Sequence, residues 1–145
     1  QPWDNHDEIL EHRKLGEKTD GAIAAFMSDL KMRGLWDETL MMWGGEFGRG
    51  VVGQGEWNTL EAGRDHHPRC YSVWMAGAGV KGGHVHGETD DFSYNIVKDP
   101  MHVRDWSATV LRLLGIDHEK LTVKHDGTNR RLTDVHGEVV EEVLK

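Results

Sequence analysis

Between Thr19 and Gly34, the stretch TDGAIAAFMSDLKMRG places Ile23, Phe26, Met27 and Leu30 at helical spacing, which predicts an amphipathic helix. Thr19 or Asp20 can cap its start, and Gly34 can stop it. The apolar run TLMMW, Thr39 to Trp43, is too short for a helix and is bounded by turn residues. It predicts a buried strand of the parallel kind. GGEFGRG then breaks the pattern as a glycine-rich loop carrying Glu46 and Arg49. YSVWMAG, Tyr71 to Gly77, predicts a second buried strand, and GAGVKGGHVHGETDDF a glycine-rich loop with room for a short hairpin. In DPMHVRDWSATVLRLLG, Val103, Trp106, Val110 and Leu113 share one helical face, with Gly115 as the stop. The tail RLTDVHGEVVEEVL holds a turn and a last short helix.

This order of elements suggests α/β layers in a single domain spanning residues 1–145. In open α/β sheets, ligands bind at the carboxyl ends of strands. The loop after Trp43 occupies such a place. GRDHHP, at 63–68, precedes a strand instead and must fold back to reach the same edge.

Composition narrows the partners. The chain has 145 residues, 37% of them hydrophobic, which suits one domain with its own core. Its formal charge of −8, from 17 basic and 25 acidic residues, excludes nucleic acid as the main partner. No apolar run is long enough to span a bilayer, and no signal-peptide pattern opens the chain. Gln1 lies directly in charged sequence, so a trimmed, processed or partial chain is expected. The one cysteine, Cys70, rules out an intrachain disulfide and reads as a core thiol. The ten histidines matter more, because histidine is the commonest metal ligand and titrates near neutral pH.

Three segments can carry chemistry. In WDNHDE, Asp4 and His6 share one side of an extended backbone and could converge on a cation of the zinc or manganese type. The competing reading is a frayed polar terminus. In WGGEFGRG, glycines let the Glu46 carboxylate approach a ligand, as metal ligand or base, while Arg49 can fork onto a phosphate or sulfate. A structural turn with a surface ion pair is the alternative. In GRDHHP, the adjacent His66 and His67 point in different directions, so one can bind a metal and the other take an orienting partner such as Asp65. A solvated loop is the alternative. His84 and His86 are expected on a surface hairpin, and His102, His118, His125 and His136 in structural roles. No residue stands out as a nucleophile.

Read together, LWDETLMMWGGEFGR, GRDHHPRCYSVWMAGAGVKGG, GETDDFSYNIVKDP, HVRDWSATVLRLLGID and RLTDVHGEVV resemble a known family. It is the C-terminal part of the sulfatase-like bacterial family called domain of unknown function 1501, in the alkaline phosphatase-like superfamily. The resemblance runs from WDNH to DVHGEVV, and its specificity lies in the ordered set. It implies an alkaline phosphatase-like α/β fold, a mostly parallel sheet with flanking helices, of which this chain forms the C-terminal portion. It also implies hydrolysis of phosphate or sulfate esters by two metal ions, which clamp the attacking and leaving oxygens. Under it, Asp4 and His6 match one ligand pair, and His66 or His67 the late histidine ligand. Asp65 supports that histidine, and Arg49 contacts the anion. The helix of HVRDWSATVLRLLGID, Asp105 included, matches scaffold. Two departures stand out: Glu46-Phe47 replaces an Asp-His pair, and Gly50-Val51 follows Arg49 where relatives often read EFGRTP. The nucleophile of such enzymes lies upstream, before the start of this chain.

The expectation is therefore a sulfatase-like protein of uncharacterised function. In full it would hydrolyse phosphate or sulfate esters with a divalent metal, zinc first and Mn, Mg or Ca as alternatives, this chain alone being inactive. The alternative is a non-catalytic metal- or anion-binding module of the same fold. The expected partners are a small anionic ester, and either the upstream part of the same protein or a second copy at an exposed sheet edge. The resemblance also suggests an exported or periplasmic location.

Overall fold

The computed structural model describes residues 3–56 and 62–145. Helix α1, Glu11–Met32, covers the predicted amphipathic stretch but begins well before Thr19. Thr19 does not cap it: its hydroxyl donates to the Leu15 carbonyl at 2.9 Å, inside the helix. Gly34 ends the helix region at φ 71°, a left-handed angle that glycine adopts without a Cβ clash. Of the apolar stripe on α1 only Leu30 is buried, and Phe26 is 50% exposed.

The strands are β1 (Leu40–Trp43), β2 (Gly48–Gln54), β3 (Gly63–His67), β4 (Trp74–Gly77), β5 (Glu88–Thr89), β6 (Ile96–Lys98), β7 (Thr122–His125) and β8 (Thr128–Arg131). Among the described residues they form separate two-stranded antiparallel pairs: β1–β4, β2–β3, β5–β6 and β7–β8. The expected alkaline phosphatase-like fold, a mostly parallel sheet with flanking helices, is therefore overturned. The physical reason lies between β1 and β4. Parallel partners need a crossover, usually a helix, that returns the chain in the same direction. Here the chain makes the β2–β3 hairpin and comes back reversed, so Trp43 lies opposite Trp74 and Leu40 opposite Gly77.

Arg49, expected in a loop, thus sits on β2, and the GRDHH of the supposed pre-strand loop is β3 itself. The β5–β6 pair is a hairpin that runs beyond the glycine-rich segment, 77–92, in which a short hairpin was expected, and His84 and His86 lie outside both of its strands. The β7–β8 hairpin was not foreseen. Its turn, Asp126-Gly127, has φ of 48° and 77°, the two positive angles of a tight hairpin turn favoured by Asp-Gly.

The best-packed region surrounds α2, Val103–Leu113. Its start carries a reciprocal cap: His102 Nδ1 accepts from the Arg104 amide, and the Asp105 carboxylate accepts from the His102 amide at 2.9 Å. The same carboxylate takes the Glu138 amide at 3.0 Å, which ties the C-terminal tail to the helix. Ala108 and Thr109 are fully buried, and Thr109 Oγ1 donates to the Asp105 carbonyl while accepting from the Val140 amide. Val80, Leu111 and Val143 complete this core, and the tail bridges back through Val80 and Leu144. The whole chain exposes 10571 Å². A folded monomer of this size exposes about 7,500 Å². The excess includes large apolar side chains on β1, such as Met42 at 51% and Trp43 at 41%.

Candidate metal centre

The β2–β3 hairpin and the segment before α1 build the site. Across the hairpin Arg49 is the register partner of His66, and Gly48 of His67, so Arg49 and His66 share one face. The N-terminal segment is laid against the start of β3: the Arg64 amide donates to the Asn5 carbonyl at 3.4 Å and the Ile9 amide to the Ala62 carbonyl at 3.2 Å. Gly63 permits that approach. A Cβ there would lie 2.0 Å from the His6 carbonyl carbon and 2.4 Å from the Asp7 nitrogen.

The result is convergence on one oxygen. Asp4 Oδ1 lies 2.9 Å from His6 Nε2, 3.0 Å from His66 Nε2 and 2.5 Å from Arg49 Nη2. The two imidazole nitrogens are 3.2 Å apart, and Arg49 also donates to the Arg64 carbonyl. His66 and Arg49, hydrogen-bonded to the Asp4 carboxylate, hold its pKa well below the ordinary carboxylate range. His6 is shifted upward, first by its Nδ1 bond to Gln54 Oε1 at 2.6 Å and then by the charge of Asp4. Gln54 Oε1 can only accept, so Nδ1 carries a proton and Nε2, when unprotonated, turns its lone pair to the cluster.

These donors fit a divalent ion. Asp4, His6 and His66 offer one ligand atom each, all within 4.8 Å of one another. A tetrahedral zinc with Zn–N bonds of about 2.0–2.1 Å spaces its ligands about 3.3 Å apart, close to the triangle here. Two imidazoles and a carboxylate suit zinc or manganese better than calcium, which takes oxygen ligands.

Asp65 lies one residue back on β3, and its Oδ1 accepts from the His66 amide at 2.7 Å. His67 points to the other face, as strand alternation requires: it is 6% exposed, donates to the Tyr94 carbonyl at 2.6 Å and stacks on the Tyr94 ring. Of the two histidines it is therefore His66 that is brought to Asp4. Glu46 lies outside the Asp4–His6–His66 cluster, on a hollow of about 430 Å³ that Asp4 and Arg49 also line. Cys70 is buried, and burial pushes its thiol pKa up, away from nucleophilic use. His84 and His86 lie near each other on the glycine-rich segment, away from the cluster. Gln54 is not among the residues singled out in the sequence, and Phe47 is noted there only beside Glu46; its ring lies 5.3 Å from that of His66. Gln54 is brought in by its place on β2, opposite Gly63.

The fold and the cluster define, among the described residues, a set of small antiparallel pairs and two α-helices that gathers an Asp-His-His set beside an arginine. The chain belongs to the family described as protein of unknown function (DUF1501), whose model matches residues 1–144. No curated protein and no solved structure matches the chain. No helix among the described residues is long and apolar enough to cross a membrane.

Proposed function

We propose that this chain carries a divalent-cation site made by Asp4, His6 and His66, with Arg49 beside it to hold an anionic ester. The chemistry proposed for the full-length protein is hydrolysis of a phosphate or sulfate ester: water adds to the phosphorus or sulfur, and the ester oxygen leaves as an alcohol carrying one of the water's protons. A bound metal would supply Lewis acidity to that exchange. The chain's own residues do the rest. Arg49, held by Asp4 and the Arg64 carbonyl, would set its positive charge beside the anion, Asp65 fixes the backbone of His66, and Gln54 sets the tautomer of His6.

The observation that supports this reading is the meeting of two imidazoles and a guanidinium on one carboxylate oxygen. A non-catalytic cation- or anion-binding module is the second reading. It is favoured by the lining of the hollow beside the cluster, where no described residue is Ser, Thr or Cys.

Zinc titration by calorimetry tests the site. The protein should bind zinc, and His66→Ala should weaken binding by at least about tenfold. His67→Ala, whose ring turns to Tyr94, should leave the affinity unchanged. Equal zinc affinity in wild type and His66→Ala would overturn the reading. Assays of the full-length protein with aryl phosphate and aryl sulfate esters then separate hydrolase from module.

A further inference from the structure

Three indoles form a wall at the end of β1. Trp43 meets Trp3 edge-on, with centroids 6.0 Å apart, and lies parallel to its cross-strand partner Trp74 at 6.4 Å and 6°. All three are exposed, at 40% for Trp3, 41% for Trp43 and 36% for Trp74. Two hollows meet along this wall. The smaller, of about 430 Å³, reaches Asp4 and Arg49; the larger, of about 1070 Å³, runs past Trp74, Tyr71 and Trp106. They share the stretch from Met42 to Glu46 and adjoin there as a trough whose smaller end is lined by Asp4 and Arg49. Glu46 lies on the shared stretch and makes no hydrogen bond or ion pair with another described residue.

The geometry points to a sugar ester as the ligand of this trough: a pyranose ring on the indole wall beside Glu46, its phosphate or sulfate reaching Arg49 and the Asp4 cluster. The inference deepens the proposed function and rests on it for where the anion goes. A pyranose matches both halves of the trough. Its C–H face suits the electron-rich face of an indole, and its rim of hydroxyls donates to a carboxylate. A purely aryl group would leave Glu46 unanswered, and a bare anion would leave the indoles in water.

Calorimetry on the zinc-loaded protein tests this with glucose 6-phosphate, glucose 6-sulfate, inorganic phosphate, inorganic sulfate and phenyl phosphate. The sugar esters should bind about tenfold more tightly than the inorganic ions. Trp43→Ala should erase that advantage with zinc affinity unchanged, and Trp43→Phe should keep most of it. Sugar esters binding no better than the inorganic ions, or less tightly than phenyl phosphate, would overturn the inference. So would light scattering that shows a dimer whose formation shields Trp43 and which no sugar ester dissociates. If zinc does not bind at all, the preceding reading fails by itself. Methyl glucoside binding to the metal-free protein, weakened by Trp43→Ala, would still support the indole wall, and its failure to bind would remove it.

Discussion

The surroundings of α2 and those of Asp4 handle polar groups in opposite ways. Around α2 each buried or capping group is answered within its own fold: Asp105 takes two amides, and fully buried Thr109 both donates and accepts. Around Asp4 two imidazoles and a guanidinium crowd a single oxygen, while the nearby Met42, Trp43 and Phe47 stay exposed. The groups around α2 are answered by backbone amides and carbonyls of the fold, whereas those around Asp4 crowd one partly exposed atom and displace its ionisation, which is why a ligand site is proposed there. The contrast suggests which substitutions should act on stability and which on binding.

The largest separation is expected from Gly63→Ala. The added carbon would meet the backbone of His6 and Asp7, which has no flexible end to move aside. The segment bearing Asp4 and His6 should shift off β3, and zinc affinity should fall by about a hundredfold, the upper range for disturbed metal ligation. Amide exchange in α2 should be unchanged. A variant with full zinc affinity would show that β3 does not align the N-terminal segment.

Next comes Thr109→Val, which keeps the shape of the side chain and removes its hydroxyl. The part-buried Val140 amide loses its acceptor, so unfolding in urea should require about 1–3 kcal/mol less. Zinc affinity should not move. If it does, the two regions are coupled and the contrast between them is too sharp. Asp105→Ala follows at about 1 kcal/mol, through loss of the helix cap and of the Glu138 tie.

What could be read in the sequence follows the same division. Helical periodicity located α1 and α2, because a stripe of apolar residues is a local signal. Gly34 and Gly115 marked helix ends, and both have positive φ. Strand direction was not legible. LMMW and WMAG announce strands by composition, but whether they pair parallel or antiparallel depends on what the intervening chain does. The glycine-rich look of GGEFGRG hid the fact that its second half is β2. The candidate residues were visible as types. Their convergence rests on a register, Arg49 against His66, that no spacing within either segment reveals. Alternation on a strand does explain why adjacent histidines part, His66 to the cluster and His67 to Tyr94. Choosing between them required knowing which face of β3 meets the N-terminal segment. The Asp-Gly turn of β7–β8 was a strong local signal that the flanking charges obscured.

The smallest expected effect concerns a carboxylate that resembles Asp4 in its shifted pKa and Asp105 in its partners. Asp90 closes the β5–β6 loop, accepting from the Tyr94 amide at 2.8 Å and from both the Asn95 amide and its side chain. The Tyr94 amide first, and the Asn95 side chain next, hold its pKa below the ordinary value. A depressed folded-state pKa contributes stability above the unfolded value of about 3.9 and loses it as pH falls through the lower folded value. The Tyr94 and Asn95 amide resonances should therefore hold steady from neutral pH to about 4 and move only below it. In Asp90→Asn the acid transition should vanish. Because the partners are amide dipoles and an exposed carboxamide rather than cations, high salt should leave the midpoint nearly in place. Tyr94 is also the residue that His67 grips, so a midpoint well above 4 in His67→Ala would show that this histidine, facing away from the cluster, organises the loop that Asp90 closes.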